Sequence, residues 1–197
     1  MDALASLWRH SSLESTIGGK MKRIKSIQCL PEDATYDEMN SPVGKLTIIT
    51  SSKGLHAILW DNDRESSKCE KIISGLRKSK NEKTIMQTKK QLTEYFQGKR
   101  KIFNLPLVIN GTDFQTQAWK QLLKIPYAKT ISYAKQAEKI GNKNKARAVG
   151  MANGLNPISI VIPCHRVIGS NGDLVGFGGG IDKKTYLLKL EANNKKV

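Results

Sequence analysis

The stretch ISYAKQAEKIGNKNKARAVGMANG, residues 131–154, decides how the second half of this chain folds. A short helix from Ser132 to Ile140 meets Gly141-Asn142, and a second helix follows from about residue 144 to 153. Two short helices about a glycine turn are the helix-turn-helix signature. Many helical hairpins bind nothing, so the pattern needs support from its composition. Ala146, Ala148, Gly150 and Ala152 are small, and the long polar groups are Lys143, Lys145 and Arg147. Small residues let a helix backbone approach another surface closely. The plainer account is tight packing against the first helix, and some of these alanines serve it. The sharper account is close approach to DNA, with Arg147 as the one long side chain able to reach between bases.

Upstream, DFQTQAWKQLLKI (113–125) predicts a helix. Phe114, Ala118, Leu122 and Ile125 recur at spacings of three and four, Trp119 joins their face, and Pro126 ends it. NGT (110–112) breaks the pattern and marks a domain boundary. Before it, SPVGKLTIITSSKGLHAILW (41–60) reads as a β-hairpin turning at 51–54. Residues 61–82 mix loop with helix. TIMQTKKQLTEYFQGK (84–99) is a helix that Gly98 terminates, and IFNLPLVI (102–109) is an extended edge strand because of Pro106. The expectation is an α+β (α/β) chain in three parts. Residues 1–35 form a disordered leader, 36–109 a small sheet-plus-helix domain, and 110–197 a mainly helical domain.

The chain carries 33 basic against 17 acidic residues, a formal charge of +16. From residue 111 to 197 there are 14 basic and 5 acidic residues, so the surplus is heavy on the half with the helix-turn-helix. A solvated basic surface would aid solubility; together with a docking element, the charge favours a polyanion, DNA first. No stretch is apolar enough to span a bilayer, and the N-terminus shows no secretory signal. Three scattered cysteines (Cys29, Cys69, Cys164) fit a reducing compartment, the cytoplasm, and share no metal-ligand spacing with the three histidines. No metal and no cofactor are expected.

In NPISIVIPCHRVIG (156–169) an apolar strand is expected to run straight into Cys164, His165 and Arg166. A free thiol has a pKa of about 8.5, so a catalytic cysteine needs a base, a positive neighbour or a helix N-terminus. Adjacent residues seldom point at each other, so His165 would reach the sulfur through a water or a tight turn. It also needs a carboxylate to orient it. Glu191, in the helix KKTYLLKLEA (183–192), is the first choice, because Leu187, Leu188 and Leu190 anchor that helix. A free cysteine is usually a small buried hydrophobe and a helix-end glutamate a solvated charge. Neither account explains Pro-Cys-His-Arg followed by DLVGFGGGID (173–182), where Gly176, Gly178, Gly179 and Gly180 let the backbone come close to a flat ligand.

These blocks, with TDFQTQAWKQLLKIPY upstream, GFGGGIDKKTYLLKLE downstream and SPVGKLTII…KGL in the first half, resemble the O6-alkylguanine-DNA alkyltransferases, also called methylated-DNA–protein-cysteine methyltransferases. The resemblance covers about residues 112–192 and the hairpin. It implies an RNase H-like N-terminal domain and a winged helix-turn-helix C-terminal domain. It also implies a monomer that binds double-stranded DNA containing alkylated bases through the minor groove, flips the damaged guanine and takes its alkyl group irreversibly onto Cys164. His165 would be the base, Glu191 its orienting acid, Tyr133 a donor to the leaving guanine, and Asn156 a brace beneath the cysteine. Arg147 would fill the space left by the flipped base, with Ser132, Lys143, Lys145, Ala146 and Arg166 also on DNA. Val167, Phe177, Gly178 and Gly179 would line the pocket. The carbonyls of Cys164 and Val167 would accept from the guanine amine, and the Gly178 N–H would donate to O6. O4-alkylthymine is a conceivable second substrate. Two rivals are a DNA-binding regulator with a redox-sensing cysteine, which leaves Tyr133, Glu191 and the glycine loop without a job, and a thiol hydrolase, which has no use for the basic helix.

Overall fold

The computed structural model describes residues 27–195. Three strands form an antiparallel meander: β1 (Thr35–Ser41), β2 (Gly44–Ser51) and β3 (Gly54–Trp60). The expected hairpin at 41–60 is thus its second half; β1 lies one strand earlier, in a polar run without a clean alternation. Both faces of the sheet are covered, so the apolar residues of β3 divide between two clusters. Ile58 and Trp60 join the main core, while Ala57 and Leu59 face a smaller cluster with Ile27, Cys69 and Ile73. The helix α1 (Ser67–Ser74) closes the smaller cluster, and β4 (Arg77–Lys78) adds to β1 in parallel, giving the order β3-β2-β1-β4.

The helix α2 (Lys83–Phe96) covers the other face. Glu82 caps it by accepting from the amides of Thr84 and Ile85, and Gly98 ends it with a φ of 73° that a side chain would resist. Its buried Ile85, Leu92 and Tyr95 belong to the main core. The segment after it is less regular than the edge strand expected at 102–109. It touches β3 through a single bridge, Leu55 to Leu107, where Leu55 N donates to Pro106 O and Val108 N to Leu55 O. Pro106 itself has no N–H to extend a ladder. Of the leader expected at 1–35, the part from residue 27 onward packs onto the fold rather than being disordered. Ile27 is fully buried and Ala34 nearly so. Residues 1–26 lie outside the described residues.

The second half begins at α3 (Asp113–Leu122), started by a capping box between Thr112 and Gln115. Next come β5 (Ile131–Ser132) and α4 (Tyr133–Lys139), with the Ser132 hydroxyl capping α4. Gly141 turns the chain at φ 92°, and α5 (Ala146–Gly154) follows a short 3₁₀ turn at Lys143–Lys145. The helix-turn-helix angle is locked from inside. The buried amides of Gln136 and Asn153 exchange two hydrogen bonds (3.2 and 2.7 Å), and Trp119 Nε1 donates to Ala152 O at 2.8 Å. Reciprocal amide pairing of this kind satisfies both groups in the core, which an unpaired amide would not tolerate. Finally β6 (Val167–Ile168) pairs in parallel with β5, and α6 (Ile181–Asn193) packs Leu187 into the core.

The apolar run 157–163 is not the strand that its composition suggests. It is a tight turn in which Ile162 N donates to Ile158 O (2.9 Å), and Ile160 adopts a φ of 75°. Positive φ in a β-branched residue is a strained conformation. Here the turn is held from inside by Asn156, so a run rich in Ile and Val folds back on itself despite its strand propensity.

Candidate active site

Cys164 opens a short 3₁₀ turn, Cys164–Arg166, directly after this fold-back. Cys164 is 5% exposed. Asn156 Nδ2 donates to Ile162 O at 2.7 Å and to Cys164 Sγ at 3.3 Å, while Asn156 Oδ1 accepts from Ile158 N. One fully buried side chain thus ties both ends of the turn and touches the sulfur.

His165 is fully buried, and its Nε2 lies 2.8 Å from Glu191 Oε1. A carboxylate only accepts, so the proton of the neutral imidazole sits on Nε2 and Nδ1 keeps a free lone pair. Nδ1 is buried without a hydrogen-bond partner among the described residues. That is the atom available to take a proton. Burial holds the imidazole below the usual histidine range, so it stays neutral despite the carboxylate.

Glu191 is the centre of the network. Besides His165, it accepts from Tyr95 Oη (2.9 Å), Ala128 N (2.9 Å) and the Arg166 guanidinium through Nε (3.0 Å) and Nη2 (2.9 Å). Burial alone would raise its pKa; the bonds from His165 and Arg166 overcome burial and hold it at about 2. Ala128 reaches the carboxylate from a left-handed conformation, φ 56°. Arg166 was expected on DNA, and the structure corrects this. It is 6% exposed, its Nη1 donates to Ile125 O at 2.7 Å, and it lies over the Tyr127 ring. It neutralises Glu191 rather than facing solvent, because the 3₁₀ turn carries it inward with His165.

Across the cysteine stands a second polar group that sequence reasoning missed. Lys184 on α6 is fully buried, and its Nζ donates to Val167 O (2.7 Å), Val175 O (3.0 Å) and Tyr133 Oη (3.4 Å). Tyr133 Oη in turn donates to Val175 O at 2.8 Å. Burial drives the Lys184 pKa down to about 8, against the pull of Cys164, and burial raises that of Tyr133 to about 12. The Val167 carbonyl, expected to receive a guanine amine, therefore already accepts an ammonium through one of its two lone pairs. A readable signal for Lys184 exists. Lys184, Leu187 and Glu191 fall at i, i+3 and i+7, one buried stripe of α6 that contains a lysine.

Tyr133 also lines a cavity of about 480 Å³ with Ala146, Arg147, Gly150, Met151, Val175 and Gly176. This volume lies in the range of small-molecule sites. Arg147 is exposed on α5 at its edge, and Lys143 and Lys145 are exposed in the preceding turn. Ser132 spends its hydroxyl on capping α4, donating partner Lys135 N, and Ala146 is half-buried. Phe177 and Gly178 are half-buried on the loop that follows. Gly179 is buried for a different reason than the one expected: a Cβ there would lie 2.8 Å from the Trp60 ring. Its bareness serves a neighbouring side chain. No group of three or more potential metal ligands occurs among the described residues.

Residues 34–109 match the model for the ribonuclease-like domain of 6-O-methylguanine DNA methyltransferase, and residues 113–193 match that family's DNA-binding domain. A methylated-DNA–protein-cysteine methyltransferase of Methanosarcina barkeri is 43% identical over 81% of this chain and 98% of its own length. The chain belongs to the 6-O-methylguanine DNA methyltransferase family. Solved methyltransferase structures share its fold. The O6-methylguanine methyltransferase of Mycobacterium tuberculosis superposes with a TM-score of 0.74 at 39% identity, covering 82% of this chain and 94% of that one. OGT of M. tuberculosis in complex with DNA gives 0.73 at 40% identity over 81% and 94%. Among the described residues of this methyltransferase-family chain, no helix is long and apolar enough to cross a membrane.

Proposed function

We propose that this protein repairs double-stranded DNA by moving the alkyl group of O6-alkylguanine onto Cys164, once and irreversibly. The observation that carries the proposal is the buried His165–Glu191 pair next to Cys164 in the chain, together with a cavity lined by Tyr133 and the second helix of a helix-turn-helix. The protein acts as a monomer in the cytoplasm, on the minor-groove side, with the damaged base swung into the cavity.

Each group has a chemical task. His165 Nδ1 takes the thiol proton through a bridging water, and Glu191 holds the ring and stabilises the imidazolium. The thiolate, steadied by the Asn156 amide, attacks the alkyl carbon. The S–C bond forms as the C–O6 bond breaks, and the electron pair leaves with guanine. Tyr133, kept protonated by burial, donates toward that developing charge, and Lys184 behind it supports the donor. Arg147 occupies the gap left in the duplex, while Lys143 and Lys145 meet phosphates. The product is a thioether, whose sulfur is a poor leaving group, so one chain repairs one lesion. O4-alkylthymine would present the same electrophilic carbon.

The test is the intact mass of the protein after incubation with a duplex carrying O6-methylguanine. One added methyl, on the peptide containing Cys164 and saturating at one per chain, is expected. An unmodified mass refutes the proposal.

A further inference from the structure

The loop between β6 and α6 forms one wall of the cavity through Val175 and Gly176, yet its own hydrogen bonds are few. The Phe177–Gly180 end is closed by Gly180 N donating to Phe177 O, and Gly176 and Gly180 flank it with φ of 52° and 99°. Such a segment has little of its own to fix its position. What lies beneath it comes from the other half of the chain.

Trp60, the last residue of β3, is fully buried. Its ring meets Phe177 edge-on, with centroids 5.7 Å apart at 61°. The backbone at Gly179 lies so close that a Cβ would sit 2.8 Å from Cε2 and 2.9 Å from Cδ2. Just beyond the loop, Lys183 Nζ stands 5.9 Å from the same ring centroid and 3.1 Å from Asp61 Oδ1. Its backbone is fixed at the strand end, since the Trp60 main-chain N–H donates to Asp63 Oδ2 at 3.0 Å. Trp60 Nε1 is buried without a hydrogen-bond partner among the described residues, a cost the fold accepts at this contact.

We propose that Trp60 is a positioning residue of the alkyl-transfer site: its indole is the floor on which the Phe177–Gly179 segment rests, so the sheet half of the chain sets the geometry of the base pocket. The proposal rests on the alkyl-transfer reading above. Phe177 meets the indole in a T-shaped contact and Gly179 lies close against the same ring, which leaves Gly178 between them fixed at both sides. Asp61 and Lys183 clamp the start of α6, the helix that also carries Lys184 and Glu191. Removing the indole frees the pocket wall without touching Cys164, His165, Glu191 or Arg147.

The experiment uses the full chain and four proteins: wild type, Trp60→Ala, Trp60→Phe and Gly179→Ala. Gly179→Ala keeps the indole and the core intact while forcing the loop off the ring. Single-turnover methyl transfer is followed at a temperature where all four are folded by circular dichroism, on an O6-methylguanine duplex and on free O6-methylguanine base. Duplex affinity is measured separately. Trp60→Ala and Gly179→Ala should slow transfer at least about tenfold on both substrates, because the wall holds the base and not the duplex. Duplex affinity should stay within about twofold, and Trp60→Phe, which keeps an aromatic edge for Phe177, should recover most of the rate. Unslowed transfer in Gly179→Ala and Trp60→Ala overturns the proposal, as does a loss of duplex affinity that accounts for the slowing. The wild type separates the two levels. If it gains a methyl beside unslowed variants, only the role of Trp60 falls; if it gains none, the repair reading falls and this proposal with it.

Discussion

Glu191→Gln should be the most informative single change, because five donors converge on that carboxylate. The substitution keeps the shape and removes the charge. The folded carboxyl has a pKa of about 2 against an ordinary 4.5. At about 1.4 kcal/mol per unit, the charged form contributes about 3 kcal/mol to stability. A second route agrees: stripping the partner from a buried guanidinium costs about 3–5 kcal/mol, and Arg166 would be left so stripped. For a chain of this size about 3 kcal/mol lowers Tm by roughly 6–12 °C. The pH dependence has a definite sign. The folded pKa is depressed, so the unfolded state binds the proton first as pH falls. The contribution is whole above about 4.5, drains below it, and is gone near about 2. Thermal melts of wild type and variant across that window provide the assay, and the difference between them cancels the other carboxylates. The Tm gap should be wide at neutral pH and close as pH falls toward about 2.5. A gap under about 2 °C at neutral pH, or one that persists unchanged in acid, refutes the placement of the charge. Methyl transfer should fall about 10²-fold or more alongside, since the His165 imidazolium loses the negative charge that would stabilise it.

Cys164→Ala should abolish methyl transfer while duplex affinity, read by fluorescence anisotropy, stays near wild type. Arg147→Ala should slow transfer on duplex DNA more than on free O6-methylguanine base, because its task lies in the opened duplex; equal losses on both would contradict that placement. Lys184→Met should slow alkylation of Cys164 by iodoacetamide at neutral pH, because a buried positive charge near the sulfur is lost; an unchanged rate would leave Lys184 only a structural tie between Val167 and Val175.

Much of this was legible in the chain. The helix-turn-helix reads out because Gly141 and the small residues of α5 are local signals, and the buried pairing of His165 with Glu191 follows from a helix whose leucines anchor it beside that one late acid. The failures share a cause. Residues 157–163 have strand composition, yet a buried side chain, Asn156, satisfies the backbone of a turn that propensity disfavours. Arg166 looks like a surface cation beside a basic motif. Its fate depends on the direction in which a 3₁₀ turn carries it, and on Tyr127, Ile125 and Glu191, distant in sequence. Lys184 hid because a lysine beside another lysine at a helix start reads as solvated; the i, i+3, i+7 stripe with Leu187 and Glu191 was the overlooked signal. The pairing of Gly179 with Trp60 spans more than a hundred residues and has no local trace.

Glu191 follows every other member of the polar network along the chain, and it accepts from Tyr95, Ala128, His165 and Arg166 alike. On the ribosome, therefore, the sulfur is made before the acid that completes its relay. Until α6 docks, Arg166 and His165 lack the carboxylate to which both donate. The carboxylate that gathers these donors thus comes from a later segment than any of them, so the network closes only when α6 docks.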